Sequence, residues 1–222
     1  LSGTDNRNAG GGMHQTPNQI GVPGYESHLS REVVAFPDLL RQSGYNNYFL
    51  GKWHLGSEPD LLPPARGFDR SYALMEGFAS HFHDKGRFRP DQLGTYYEDG
   101  TFVENLPEDF FSTDFYTDQL IDYIDADVGS GKPWFAYLGY TAPHWPLQAP
   151  DEYIDKYKGV YDEGYEVLRA ERIARGKALG MIPQEAVMYP RLQTIPAWND
   201  LSPEEKTVAS REMEIYAAMV DG

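Results

Sequence analysis

The chain has 222 residues, enough for one large domain or for part of a bigger protein. Its 34 acidic residues against 19 basic ones leave a net charge of −15, which repels a phosphate backbone and argues against a nucleic-acid partner. Cysteine is absent, which excludes disulfides and thiolate metal sites within it, and no apolar run approaches the roughly 20 residues of a bilayer-spanning helix.

Residues 1–30 are rich in Gly, Asn, Ser and Pro around Gly10-Gly11-Gly12 and read as a long irregular loop. The glycine run lacks the Lys-Ser/Thr of a phosphate-binding loop, and His14 and His28 read as loop residues. In residues 31–43, Phe36 and Leu40 stand at helical spacing, Pro37 suits a first turn and Gly44 suits the position past the end. A short helix is expected there, feeding a buried strand over Gly44–Gly51.

Lys52, Trp53 and His54 follow. In an extended chain, side chains two apart share a face, so Lys52 and His54 project together from the strand end and Trp53 turns away. Two such groups repel unless something negative lies between them. Unit charges about 4 Å apart interact by roughly 4 kcal/mol at an effective dielectric of about 20. The pair therefore suggests a site that handles an anion.

Residues 57–111 are punctuated by Pro63-Pro64, Gly67, Gly77, Gly86, Pro90, Gly94, Gly100 and Pro107. They read as an irregular insertion with one small hairpin around Asp99-Gly100. His81 and His83 fall in it and read as surface residues or as lining of a substrate mouth. Residues 112–128 predict a helix capped by Ser112 or Thr113, with an apolar stripe of Leu120, Ile121, Ile124 and Val128. Asp114, Asp118, Asp122, Asp125 and Asp127 read mostly as its solvated face rather than as a metal site. Pro133 to Tyr140 is a continuous apolar run, which suits a strand covered on both faces of a parallel sheet.

His144 comes just past that strand, between Pro143 and Pro146. Ligands of open α/β sheets gather at the carboxyl ends of strands, so parallel strands would bring Lys52, His54 and His144 together. Residues 151–182 predict two surface helices broken at 159–164, and 183–201 a loop. Ser202-Pro203-Glu204-Glu205 is a strong helix start, followed by an expected buried stripe of Ala209, Met213, Tyr216 and Val220. Two helix-then-strand units with long connections imply a doubly wound α/β layer structure.

These segments resemble the bacterial arylsulfatases of the sulfatase family, in the alkaline-phosphatase-like superfamily. Gly51-Lys52-Trp53-His54-Leu55-Gly56 matches the second family signature, and Ala142-Pro143-His144-Trp145-Pro146-Leu147-Gln148-Ala149-Pro150 matches its histidine loop. Leu1-Ser2-Gly3-Thr4-Asp5-Asn6 resembles the segment after the first signature, and Tyr216-Ala217-Ala218-Met219-Val220 the helix before the metal-binding Asp-Asn strand. Asn47 departs from the Ser or Thr that is usual at its place.

The resemblance implies a mostly parallel, doubly wound sheet with helices on both faces, incomplete in this chain. Residues 1–222 are then the central part of one catalytic domain, with the irregular insertion 57–111 near the substrate mouth. It further implies a sulfuric ester hydrolase whose nucleophile is a formylglycine and whose metal is calcium, both outside this chain. Lys52 would bind a sulfate oxygen, His54 would take a proton when the sulfated intermediate collapses, and His144 would contact the bridging oxygen and protonate the leaving alcohol. Each transfer would contribute about 10²–10⁴-fold. The implied partner is a small sulfate ester. A phosphatase or phosphonate hydrolase of the same superfamily, and a non-catalytic anion-binding relative, are the alternatives. The chain begins at Leu1 and is expected to be a catalytically inert piece of a longer product.

Overall fold

The computed structural model describes residues 1–12, 17–89 and 91–222; His14 and Pro90 lie outside them. The chain divides into two compact units, Leu1–Pro146 and Leu147–Gly222.

The first unit is built on a five-stranded mixed sheet in the order β4-β3-β2-β1-β5. Strand β1 (Asn46–Lys52) is central, with β2 (Arg70–Leu74) and β5 (Trp134–Gly139) parallel to it on either side. The hairpin β3 (Tyr96–Glu98) and β4 (Thr101–Val103) adds antiparallel to β2. Asp99 and Gly100 both take positive φ, as a two-residue hairpin turn requires.

Side chains alternate across β1. Tyr48 and Leu50 face one side, where Tyr116, Leu120, Tyr123 and Ile124 of helix α2 (Ser112–Asp127) cover them. Phe49 and Trp53 face the other, against Phe68, Ala73 and Met75. Helix α1 (Phe36–Gln42) lies on that second side, its Phe36 ring edge-on to Phe135 at 4.9 Å. Asn47, also on that side and fully buried, donates from Nδ2 to the carbonyls of Pro37 and Gly67, each at 2.8 Å. It thus ties β1 to α1 and to the turn before β2. Helices cover both faces, as a doubly wound α/β layer requires.

In this unit four expectations need correction. The stretch 57–111 is not wholly irregular, because β2 lies inside it beside the central strand. Its short Arg-Ser-Tyr-Ala-Leu sequence opens on two polar residues and shows no long apolar run. Strand β5 is not covered on both faces: it is the edge of the described sheet, and Trp134 and Tyr137 are exposed. Helix α2 buries Tyr116 and Tyr123, whereas Ile121 and Val128 are exposed. The larger rings of Tyr116 and Tyr123, seven positions and so about two turns apart, take the sheet-facing side. No side chain caps α2 either, and Ser112 spends its hydroxyl elsewhere.

In the second unit, α3 (Asp151–Ile154) continues into a single 3-10 turn, and α4 (Tyr165–Ala178) follows the break. Helix α5 (Pro203–Asp221) begins with the expected reciprocal cap between Ser202 and Glu205. Its buried side is not the predicted stripe. Ser210, Glu214, Ala218 and Met219 are buried, while Tyr216 and Val220 are exposed. Polar anchors explain the rotation: Glu214 accepts from the Gly159 amide at 2.7 Å and the Ser210 hydroxyl donates to Asp162 at 2.7 Å. Met213, Tyr216 and Val220 instead line an open hollow of about 690 Å³ with Tyr157, Tyr161 and Tyr165.

Candidate active site

The parallel register puts the ends of β1 and β5 side by side, with Gly51 opposite Gly139. Gly51 has φ +101°, and a Cβ there would lie 2.1 Å from the Gly139 carbonyl oxygen, so only glycine lets the strands meet this closely. Lys52 ends β1, half-buried, opposite Leu74 of β2. His144 lies five residues beyond β5, past the same end of the sheet.

The strict alternation expected at Lys52 and His54 does not continue, because His54 turns to φ +54°. Lys52 is nevertheless near enough for its charge to act on the His54 ring. Trp53 turns away as expected, and its indole donates to the Leu61 carbonyl at 3.0 Å. The amides of Trp53 and His54 extend the ladder to Leu74 and Met75, at 2.8 and 3.1 Å. His54 is exposed overall, but the Cε1 edge of its ring lies against Gly77. That partial burial, then the positive charges of Lys52 and Arg87, lower its pKa, and Glu76 partly offsets them. The imidazole is thereby biased toward the neutral form, which can accept a proton.

The segment Glu76-Gly77-Phe78 joins the histidines. A Cβ on Gly77 would stand 2.9 Å from Cε1 of His54. The next residue, Phe78, carries the His144 ring stacked on its own, with centroids 5.1 Å apart and planes within 4°. His54 and His144 therefore rest on consecutive residues of one loop. The His144 Nδ1 lies 2.7 Å from the Trp145 carbonyl. A carbonyl only accepts, so Nδ1 carries the proton and Nε2 is the nitrogen left for a ligand. To donate from Nε2, His144 must first be doubly protonated.

Residues that sequence reasoning passed over surround these groups. Arg87 and Glu76 pair at 3.8 Å beside His54, and with Ser27 and Ser57 they line a pocket of about 230 Å³. Phe88 and Trp145, 64% and 45% exposed, stand 5.0 Å apart and each touches the Phe78 ring. They come from loops with no periodic pattern, so spacing could not mark them. Of the remaining histidines, His83 is exposed, and His28 is half-buried in the loop that leads to the pocket. His81 is buried beneath the His144 loop, neither a surface residue nor a mouth lining.

A bound calcium ion does not fit these residues. Among the described residues no cluster of three or more His, Asp or Glu could hold a metal. Both Glu76 oxygens already accept from Thr95, each at 2.8 Å. Among them, too, no helix is long and apolar enough to cross a membrane.

Comparison with known proteins agrees with this frame. The Sulfatase family model matches residues 1–220. An uncharacterized sulfatase of Schizosaccharomyces pombe is 42% identical over 236 residues, covering 100% of this chain and 42% of its own length. The arylsulfatase of Klebsiella aerogenes is 41% identical over 223 residues, covering 99% of this chain and 47% of its own length. The chain thus spans less than half of these relatives. Among solved structures, a candidate sulfatase of Bacteroides fragilis superposes with TM-score 0.53 at 18% identity, over 87% of this chain and 38% of that one. Ps i-CgsB does so with TM-score 0.51 at 22% identity, over 87% and 37%; both show likeness of fold. The family model over residues 1–220, together with identities of 42% and 41% across essentially the whole chain, makes this chain a member of the sulfatase family.

Proposed function

We propose that the full-length protein hydrolyses sulfate monoesters, with aryl sulfates as substrates. One observation supports this most: His54 and His144 rest on consecutive residues, 77 and 78, at the sheet end where Lys52 terminates β1. The Lys52 ammonium holds a sulfate oxygen and draws off negative charge as it grows. His54, biased to its neutral form, accepts a proton when the sulfated intermediate breaks down. His144 gives a proton from Nε2 to the departing alcohol, while its Nδ1 stays bonded to the Trp145 carbonyl. The exposed rings of Phe88 and Trp145 stand beside that donor and favour a flat, apolar alcohol.

Formylglycine and calcium, supplied from outside these residues, would provide the nucleophile and the counter-charge. Residues 1–222 are accordingly the central part of one catalytic domain and by themselves turn over no ester. The test uses an aryl sulfate and the full-length protein. Lys52→Ala and His144→Ala should each cut turnover well over tenfold. Unchanged turnover in either removes that residue from the mechanism, faster hydrolysis of the matching phosphate ester reassigns the transferred group, and turnover by residues 1–222 alone refutes their inertness.

A further inference from the structure

His81 is a buried imidazole for which the chemistry above has no use. It is 1% exposed, and both ring nitrogens are engaged. Nε2 lies 3.0 Å from the backbone carbonyl of His144, and Nδ1 lies 2.9 Å from the Ser112 hydroxyl. The carbonyl can only accept, so Nε2 carries the proton and Nδ1 accepts from Ser112. One tautomer therefore satisfies the whole chain from Ser112 through His81 to His144.

The surroundings make this linkage stiff. The Ser112 amide donates to the His81 carbonyl at 2.8 Å, and Phe82 bridges Phe111. His81 is thus clamped by its backbone to the start of α2. Its ring reaches across to the loop that follows β5. On that loop the His144 amide closes a turn to the Thr141 carbonyl at 2.9 Å, and the ring is fixed by Phe78 and by the Trp145 carbonyl.

We propose that His81 is a positioning residue for His144: its Nε2–H holds the His144 carbonyl and so sets the direction from which the His144 ring reaches the leaving oxygen. This rests on the reading of His144 as the leaving-group acid. Burial also lowers the pKa of His81, which keeps a second cation from forming beside His144. A donor misplaced by about 1 Å can cost about 100-fold.

The test measures kcat/KM of the full-length protein across aryl sulfates whose phenols span a range of acidity. A loosened acid matters most when the leaving phenol is least acidic. His81→Ala should lose about 10- to 100-fold on the least acidic phenols and far less on nitrophenol-like ones, steepening the dependence on leaving-group pKa. His81→Gln, whose amide can reach the same carbonyl, should restore most of the loss. Ser112→Ala should steepen the dependence mildly and serves if His81→Ala does not fold. An equal loss across the series, or none, overturns the proposal. His144→Ala on the same series separates the two claims: a steep His144 profile with a flat His81 profile sinks only the role of His81, and a flat His144 profile sinks the reading of His144 as the acid.

Discussion

The His54 imidazole lies so close on Gly77 that a single added methyl group would stand 2.9 Å from its Cε1 atom. Sequence gives no hint of this contact, since 23 residues separate the two. The contact limits where the histidine ring can lie. Gly77→Ala should push the ring away without straining the backbone, because the displaced atom is the end of a side chain. We expect a turnover loss of at least about tenfold, short of the roughly 10²–10⁴-fold of a fully lost proton transfer because the ring is displaced and not removed, and a melting temperature within a few degrees of the parent. Kinetics and a thermal scan of that variant check it; full activity would mean that the ring position is irrelevant.

Phe88 tests the substrate side. Its ring is largely exposed and packs at 4.5 Å on Phe78, so its removal should hardly disturb folding. An aromatic pair is worth about 0.5–1.5 kcal/mol beyond simple burial. Phe88→Ala should then raise KM for an aryl sulfate by about 2- to 10-fold and leave methyl sulfate nearly unaffected. Equal effects on both esters would mean that the ring does not read the alcohol.

Acid should weaken the fold in a window set by imidazoles. Burial depresses the pKa of both His81 and His54, in each case as the largest cause. The unfolded chain, with ordinary imidazoles near about 6.5, therefore takes up protons first as the pH falls. Stability is complete above that value and declines as the pH drops toward the folded values. Denaturant midpoints between about pH 7.5 and 5 measure the slope. His81→Gln, which cannot titrate, should flatten it, and an unchanged slope would assign the loss to other groups.

Asn47 is the structural control. Its amide satisfies two buried carbonyls, those of Pro37 and Gly67. Asn47→Ala strands both, at about 1–3 kcal/mol for each unsatisfied group. We expect a loss of about 2–5 kcal/mol in equilibrium unfolding, with kcat kept in the folded fraction. A loss under about 1 kcal/mol would show that water replaces the amide.

Some of this was legible from local chemistry. The strand Asn46–Lys52, the Asp99-Gly100 turn and the Ser202 cap each follow from short-range rules of burial, φ preference and hydrogen bonding. The motifs also marked Lys52, His54 and His144. Helix faces were less legible. On α2 and α5 the apolar stripe read from spacing was partly exposed, because Tyr123 on one and Glu214 on the other found stronger partners elsewhere in the chain.

The residues by themselves determined which chemical groups are present and where regular backbone starts and stops, since those depend on neighbours a few positions away. Only the tertiary structure decided what those groups touch. Gly77, Phe78, His81 and Ser112 take their places at His54 and His144 because a parallel sheet brings distant loops to one edge. Contacts of that kind are set by packing across tens of residues, which no local pattern encodes.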